Sequence, residues 1–352
     1  MSYKKVLLAF VSIMAILPSV VFAESILVEA EGFDSHGGWS LDQQFMQTMG
    51  SPYLLAHGMG KPVADAETTV EFQSTGRYRI WVRTMDWIPG DWESPGRFQV
   101  ILDGVPVEKE FGTLAGWQWQ DGGMVDVTSE RIQIKLHDLT GFEGRCDAIF
   151  FTNDTAEEPV NFNAADPEVD RKWRNRLRGL PDTPPDGGRF DVIVVGGGIA
   201  GCAAALAAEE RGLRVALVHD REALGGNASI EVQVTTGGIY GNGERILGRL
   251  RGKGGNVADQ VRRDQTLEAA NGIKMFKPYR AYDVEMADGR IVSVDAVSTV
   301  TGEALRLRSG LFIDCTGDGW IGYWAGAEYR YGRESYTEFD EAWDSKISYP
   351  RV

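Results

Sequence analysis

The feature that most constrains the fold is a glycine-rich turn between an apolar run and an alanine-rich run. Residues 190–226 read FDVIVVGGGIAGCAAALAAEERGLRVALVHDREALGG. The pattern predicts a buried strand, a helix and a second, parallel strand at Val192–Val195, 200–211 and Val215–Val218. Gly196, Gly198 and Gly201 give the spacing G-x-G-x-x-G. This order of elements is typical of the dinucleotide-binding βαβ unit; the alternative is an ordinary βαβ crossover with a glycine-rich turn.

Each glycine of this turn has a physical role in such a unit. Gly196 lets the chain turn tightly out of the strand, Gly198 leaves room for a pyrophosphate, and Gly201 lets the helix pack close to the sheet. The free amides and the positive end of the helix dipole would then face the phosphates. We therefore expect the phosphates to be bound by the turn residues Gly196, Gly197, Gly198, Ile199, Ala200 and Gly201.

Two further glycine motifs follow. Residues 219–227 read HDREALGGN, and an apolar strand predicted at 311–315 ends in TGDG. With these motifs the chain resembles FAD-dependent oxidoreductases of the two-dinucleotide-binding-domain type. It is most similar to a bacterial group that carries GGGIAG, LGGNAS and DCTGDG together and is related to the flavin subunit of heterodisulfide reductase. The resemblance covers about residues 173–338 and implies FAD, with contacts from His219, Asp220, Arg221, Gly225, Gly226, Asn227, Thr316, Gly317 and Asp318.

The chain departs from this family at three places. The usual Glu after the second strand is His219 here, so His219 or Asp220 could meet the ribose hydroxyls, and Asp220 is the better acceptor. Relatives often have a His where this chain has Thr235 and Thr236, which leaves Glu231 as the candidate proton acceptor or as a structural hydrogen-bond partner. Relatives also continue into a substrate domain with a second Gly-Asp motif. We therefore expect either a truncated gene product or a second polypeptide that completes the active site.

Residues 24–154 predict a separate all-β domain. Seven short alternating runs, separated by turn residues, are typical of a sandwich or jelly roll; they lie at 26–30, 68–72, 78–83, 97–102, 124–127, 131–136 and 148–152. Trp81 is expected in the core. Four tryptophans in or beside loops could stack on sugar rings, or could instead fill the core or a domain interface: Trp87, Trp92, Trp117 and Trp119.

This domain resembles β-sandwich carbohydrate-binding modules. The resemblance rests on the runs VEAE at 28–31 and DAIF at 147–150, near the first and last strands. In such modules these two strands lie side by side, and acids there can hold a structural calcium ion. The resemblance thus implies a calcium site formed by Glu29, Glu31 and Asp147.

Composition limits the partners and the cofactors. The chain has 352 residues and a formal net charge of −15, so nucleic acid and anionic membrane surfaces should be repelled. Cys146, Cys202 and Cys315 lie far apart, so no C-x-x-C motif offers ligands for an iron–sulfur cluster or a zinc ion.

Residues 1–23 predict a cleaved export signal, with two lysines, an apolar run and Ala23 before the cut. The alternative is a single membrane anchor, although the apolar run is short for a span. We expect an exported protein, periplasmic or extracellular, with no stable membrane span after cleavage.

The sequence therefore predicts a multidomain chain: a signal peptide (1–23), an all-β sandwich (24–154), a linker with a short helix (155–189) and a Rossmann-like α/β FAD-binding domain (190–352). The helix, near residues 170–180, is expected to pack along the flavin domain. The implied chemistry is hydride transfer from an alcohol carbon of a sugar, glycoside or polysaccharide to the flavin. The alternatives are a carbohydrate-binding protein with an inactive flavin domain and an electron-transfer subunit.

Overall fold

The computed structural model describes residues 23–163, 165–238 and 241–332. The predicted export signal lies outside these residues except for Ala23, and the predicted flavin domain is described as far as residue 332. Among the residues that the structure describes, no helix has the length and apolar character needed to cross a membrane.

The N-terminal part is a two-sheet β-sandwich. One sheet has the order β2-β3-β10-β5-β8, with β1 also paired to β10, and the other has the order β4-β9-β6-β7. The strands are β1 Ser25–Glu29, β2 Ser40–Asp42, β3 Tyr53–His57, β4 Ala66–Glu71, β5 Gly76–Thr84, β6 Phe98–Leu102, β7 Val105–Pro106, β8 Gln118–Val127, β9 Arg131–Asp138 and β10 Phe142–Thr152. A short helix, α1 (Met46–Met49), follows β2.

All seven predicted strands occur, and the first and last strands pair antiparallel, Val28 opposite Ile149. The sequence missed β2, β3 and β7, because two of them are only two or three residues long and YLLAH in β3 lacks the alternation of a half-buried strand. Alternate strand residues meet between the sheets in one core, which includes Ile80, Val82, Val100, Ile134 and Phe151.

The connecting helix α2 (Pro167–Arg178) packs on the sandwich, which corrects the prediction that it packs along the flavin domain. Trp173 and Leu177 lie on one side of the helix, as their spacing predicted. They join a cluster on the outer face of the sandwich, where Trp173 packs against Trp119 and Phe150 with ring centroids 5.9 and 5.2 Å apart. The helix also approaches the flavin domain, where Arg178 donates to the carbonyl of Thr301 and Arg171 lies near Tyr282.

The second half contains two four-stranded sheets. The first is fully parallel with the order β14-β13-β12-β18, and the second has the order β11-β17-β16-β15. Their strands are β11 Asp186–Arg189, β12 Val192–Val195, β13 Val215–Val218, β14 Ile273–Phe276, β15 Tyr279–Ala287, β16 Arg290–Ser298, β17 Ala304–Arg308 and β18 Phe312–Asp314. The helices are α3 Ile199–Glu209, α4 Glu244–Leu250, α5 Asn256–Glu268 and α6 Trp320–Trp324.

The parallel sheet is the middle layer of this unit. Val192 and Val194 face a cluster with α3, whereas Ile193 and Val195 face the second sheet. Both faces are therefore covered, which explains why β12 is a continuous apolar run. Strand β11 pairs parallel with β17, so residues 186–189, which the sequence assigned to the linker, belong to the second sheet.

A buried charge cluster joins α2 to the sandwich and replaces the predicted calcium site. Arg174 donates to Glu29 and Asp147, each at 2.7 Å. Arg83 lies 3.4 Å from the same Asp147 oxygen, and these four side chains are at most 7% exposed. Within the described ranges no group of His, Cys, Asp or Glu side chains is placed to hold a metal ion.

The calcium prediction for Glu29, Glu31 and Asp147 is therefore wrong. Glu29 and Asp147 do lie close together, but guanidinium groups neutralise them, as buried carboxylates require. Burial raises the pKa of Glu31 well above its usual range, and the charge of Glu29 adds to the shift. Burial thus disfavours the charged form of Glu31.

Candidate functional site

The candidate site lies where the strand order of the parallel sheet reverses. In chain order β12, β13 and β14 extend the sheet in one direction, and β18 then pairs on the other side of β12. Ligands of open α/β sheets bind outside the carboxyl ends of the strands at this position. The first glycine turn follows β12, and the TGDG turn follows β18.

The first turn has the geometry that the sequence predicted. Gly196 has φ +104°, and a Cβ there would overlap the carbonyl of Cys315 at the end of β18. A Cβ on Gly201 would overlap the carbonyl oxygen of Gly196, so the helix packs against the turn only because residue 201 is glycine. Gly198 instead has an ordinary backbone conformation (φ −64°, ψ 179°). Within the described part of the chain, no heavy atom lies within 4 Å of a Cβ built on Gly198.

Gly198 is also the residue that precedes the first turn of α3, and it has no side chain to cap the helix. The first amides of a helix have no partner within the helix, and the helix dipole makes this end positive. The turn thus offers open space, unpaired amides and a favourable field to a phosphate.

The second loop lies against the first. The amide of Gly225 donates to the carbonyl of Gly197 at 2.8 Å. Arg263 of α5 is fully buried beneath this loop and donates to the carbonyls of Leu224 at 3.1 Å and Ala228 at 3.0 Å. A Cβ on Gly225 would lie 2.6 Å from the Arg263 guanidinium carbon, so this glycine allows the arginine to approach.

The third loop is held by Asp314 at the end of β18. One Asp314 oxygen accepts from the amide and the hydroxyl of Thr316, at 3.0 and 2.7 Å, and the other accepts from the amide of Ile321 at 2.9 Å. The Thr316 hydroxyl is therefore engaged within its own turn, whereas Gly317 and Asp318 are exposed.

Sequence reasoning missed Arg263 and Asp314, which support two of the three loops. For Asp314 a signal was available, because an acid at a strand end before a glycine turn can accept several amides. For Arg263 no local signal existed, since its partners lie 35 and 39 residues away.

The structure decides between the two candidates for the ribose contact. His219 is buried, accepts from the amide of Gly197 at 3.1 Å through Nδ1, and donates through Nε2 to the carbonyl of Ala223 at 3.1 Å. Because the Gly197 amide donates to Nδ1, this arrangement needs the neutral ring, and burial lowers the pKa of His219 in the same direction. Both ring nitrogens are thus used inside the protein, and the prediction that His219 contacts the ribose is wrong.

Asp220 remains as the acceptor at this position. Its side chain is 31% exposed, and its Oδ2 lies 3.4 Å from Nη1 of Arg280, which is itself mostly buried. A carboxylate can accept hydrogen bonds from two hydroxyl groups. The assignment of Asp220 to the ribose stays a prediction, now supported by its position.

Glu231 pairs with Arg221, the residue that follows Asp220. Its carboxylate is 3.4 Å from Nη1 of Arg221, in a half-exposed ion pair, and its amide donates to the hydroxyl of Ser229 at 3.2 Å. Arg221 is thus occupied by this ion pair. The geometry favours the structural role for Glu231, and the catalytic role stays a prediction.

Taken together, the fold and the three loops define a Rossmann-like dinucleotide-binding unit. The residues fit a dinucleotide with a diphosphate, because the turn at Gly198 is open and uncapped and an acid lies beyond the second strand. Gly225, Gly226 and Asn227 lie next to this turn, through the pairing of Gly225 with Gly198.

Comparison with known proteins supports the same class. Residues 191–349 match the family model described as FAD dependent oxidoreductase. The aerobic glycerol-3-phosphate dehydrogenase of Staphylococcus saprophyticus is 34% identical over 91 residues, which are 26% of this chain and 15% of that protein. The mitochondrial glycerol-3-phosphate dehydrogenase of Mus musculus is 37% identical over 82 residues, 23% of this chain and 10% of that protein. The matched segment is thus similar to FAD-dependent oxidoreductases, which supports FAD as the cofactor, and this chain spans only 15% and 10% of the length of the two relatives.

Similarity to solved structures is weaker. A family 35 carbohydrate-binding module from Clostridium thermocellum gives a TM-score of 0.31 at 14% identity, covering 36% of this chain and 97% of the module. The glycerol-3-phosphate dehydrogenase of Bacillus halodurans, solved with FAD, gives 0.28 at 17% identity, covering 40% of this chain and 36% of that one. Structural similarity this low does not indicate what either domain binds.

Proposed function

We propose that this protein is exported and that its flavin domain takes hydride from an alcohol carbon of a sugar, glycoside or polysaccharide. The observation that carries the redox assignment is the convergence of three glycine loops on the open turn at Gly198. The apolar run within residues 1–23, with its small-residue end, supports export.

The alcohol substrate is supported by the chemistry of the relatives. Their names describe dehydrogenases of glycerol-3-phosphate, a polyol phosphate. When bound, FAD supplies hydride acceptance, and the protein supplies binding, orientation and exclusion of water. In this chain the first turn would hold the diphosphate, and Asp220 would accept hydrogen bonds from the ribose hydroxyls.

The sandwich supports a sugar rather than another alcohol. Trp119 is buried against Trp173, and Trp117 packs against Tyr53 with ring centroids 4.9 Å apart, so these two rings are not available for stacking. Trp92 is 59% exposed, and Phe142 is 50% exposed. Exposed flat rings at the end of a sandwich can stack on the apolar faces of sugars.

Polar side chains lie beside these rings. The indole nitrogen of Trp87 donates to the carbonyl of Phe142 at 3.0 Å, which places the two loops next to each other. Glu143 accepts from Arg145 at 3.0 Å and lies 3.1 Å from Nδ1 of His57. Rings together with hydrogen-bonding groups are the combination that sugar recognition needs, so we propose this loop end as the polysaccharide contact.

The absorption spectrum of the purified mature protein tests the proposal. We expect bands near about 370 and 450 nm, which belong to oxidised flavin. Anaerobic addition of the correct sugar should bleach the longer-wavelength band, because hydride transfer reduces the flavin. A colourless protein that cannot be reconstituted with FAD, but that sediments with polysaccharide, would favour the binding-protein alternative instead.

The variant Glu231→Gln tests the proton acceptor separately. If Glu231 forms only its ion pair with Arg221, we expect full flavin content and nearly unchanged turnover of the sugar. If it takes the substrate proton, turnover should fall by about 100-fold or more while flavin content is unchanged. Arg221→Gln is the matched control, because it breaks the same ion pair and leaves the carboxylate in place.

A further inference from the structure

We propose that Gln43, in the sandwich, is a positioning residue for the adenosine end of the flavin site. The N-terminal domain would then contribute to cofactor binding as well as to contact with the substrate. The inference rests on the proposed function, because it assumes that Asp220 meets the adenosine ribose of FAD.

The contact itself crosses between the domains. Nε2 of Gln43 donates to the backbone carbonyl of Asp220 at 2.7 Å, over a separation of 177 residues. The same carbonyl accepts from the hydroxyl of Thr299 at 3.3 Å. Two donors therefore fix the peptide that follows Asp220, and the side chain of Asp220 is left to face Arg280.

The segment that carries Gln43 is packed against the sandwich. Gln43 lies between β2 and α1, and Phe45, two residues further on, packs against Tyr53 and Trp117 with ring centroids 6.0 and 5.9 Å apart. The other amide atom, Oε1, is buried without a hydrogen-bond partner among the described residues. Burying a carboxamide is unfavourable unless it bonds, so the bond to Asp220 is what stabilises this arrangement.

A second link ends on the same part of the flavin domain. Arg178 lies 3.6 Å from Glu29 of the sandwich and donates to the carbonyl of Thr301, two residues beyond Thr299. Gly302 allows this approach, because a Cβ there would overlap the Arg178 guanidinium. Two contacts thus reach the flavin domain: Gln43 bonds to the Asp220 segment, and Arg178 bonds to the neighbouring turn. Together they fix the position of the sandwich relative to the Asp220 segment.

The test uses isosteric variants of two adjacent glutamines in the full-length protein. Gln43→Glu replaces the donor with an acceptor that faces a carbonyl oxygen, while Gln44→Glu adds the same charge at an exposed position one residue away. Binding of FAD to the apoprotein is followed by flavin fluorescence, and ADP and FMN are used as competitors. ADP carries the adenosine half of FAD, and FMN carries the flavin half.

We expect Gln43→Glu to bind FAD and ADP about tenfold more weakly than Gln44→Glu does. The affinity falls because one hydrogen bond is lost and is replaced by repulsion between two oxygen atoms. The affinity for FMN should be the same in both variants, whereas a general loss of folding would weaken FMN as well. Equal FAD affinity in the two variants, or equal losses for ADP and FMN, would overturn the inference and leave the proposed function standing. A wild-type protein that binds neither FAD nor ADP would overturn both.

Discussion

Replacing Gly198 with valine should abolish FAD binding and leave the stability of the apoprotein nearly unchanged. Gly198 has a backbone conformation that any residue can adopt, and the space around its Cβ position is open within the described residues. A Cβ there is therefore tolerated by the fold, and a diphosphate bound at this turn would meet the added side chain. We expect the dissociation constant for FAD to rise by at least about 100-fold, or ~2.7 kcal/mol.

Gly310→Val is the matched control. Gly310 also lies in open space, but it precedes β18 and is therefore at the amino edge of the parallel sheet, away from the loops. Titration of both apoproteins with FAD, together with thermal unfolding without FAD, gives the comparison. If Gly198→Val binds FAD as well as Gly310→Val does, the glycine turn is an ordinary crossover and not the phosphate site.

The sequence predicted those parts of the fold that local patterns determine. The apolar runs at β12 and β13 have the predicted bounds, because a buried strand between turns has a clear local signature. The three glycine motifs were assigned to one site, and the structure brings them together at the end of the sheet. The short strands β2 and β7 and the linker strand β11 lack such a signature.

The interactions that sequence reasoning missed or misassigned depend on distant residues. Asp147 and Glu29 were recognised as paired acids, but their partner Arg174 is 27 and 145 residues away. A carboxylate pair in a sequence therefore indicates a need for positive charge and does not identify its source. His219 and Asp220 could not be separated by sequence, because the choice depends on which way the imidazole ring turns.

Replacing Arg174 with methionine should destabilise the sandwich by about 3–5 kcal/mol, the range for removing one partner of a buried ion pair. Methionine fills part of the volume but leaves Glu29 and Asp147 buried without their main cation. Arg83 lies 3.4 Å from Asp147 and Arg178 lies 3.6 Å from Glu29, so each carboxylate keeps only a more distant cation. The free energy of unfolding from urea titrations measures the effect.

The loss of unfolding free energy in Arg174→Met should also depend on pH. Burial already raises the pKa of Glu29, and in the variant this carboxyl also loses the Arg174 guanidinium that lowers it, so its folded-state pKa should lie further above the unfolded value of about 4. A group with a raised folded-state pKa contributes stability below its unfolded pKa and loses that contribution as pH rises through the folded value. The difference between variant and wild type should therefore be small near about pH 4 and should grow towards neutral pH.

Arg176→Met on the same helix is the control for this experiment. Arg176 is 65% exposed and pairs with Glu157 at the surface at 3.2 Å, so the same substitution should have little effect on stability at any pH. If the two variants have equal stability, or if the deficit of Arg174→Met does not change with pH, the cluster is not what joins α2 to the sandwich. A large, pH-dependent deficit confined to Arg174→Met would instead show that an arginine from the connecting helix neutralises the acids for which the sequence predicted a calcium ion.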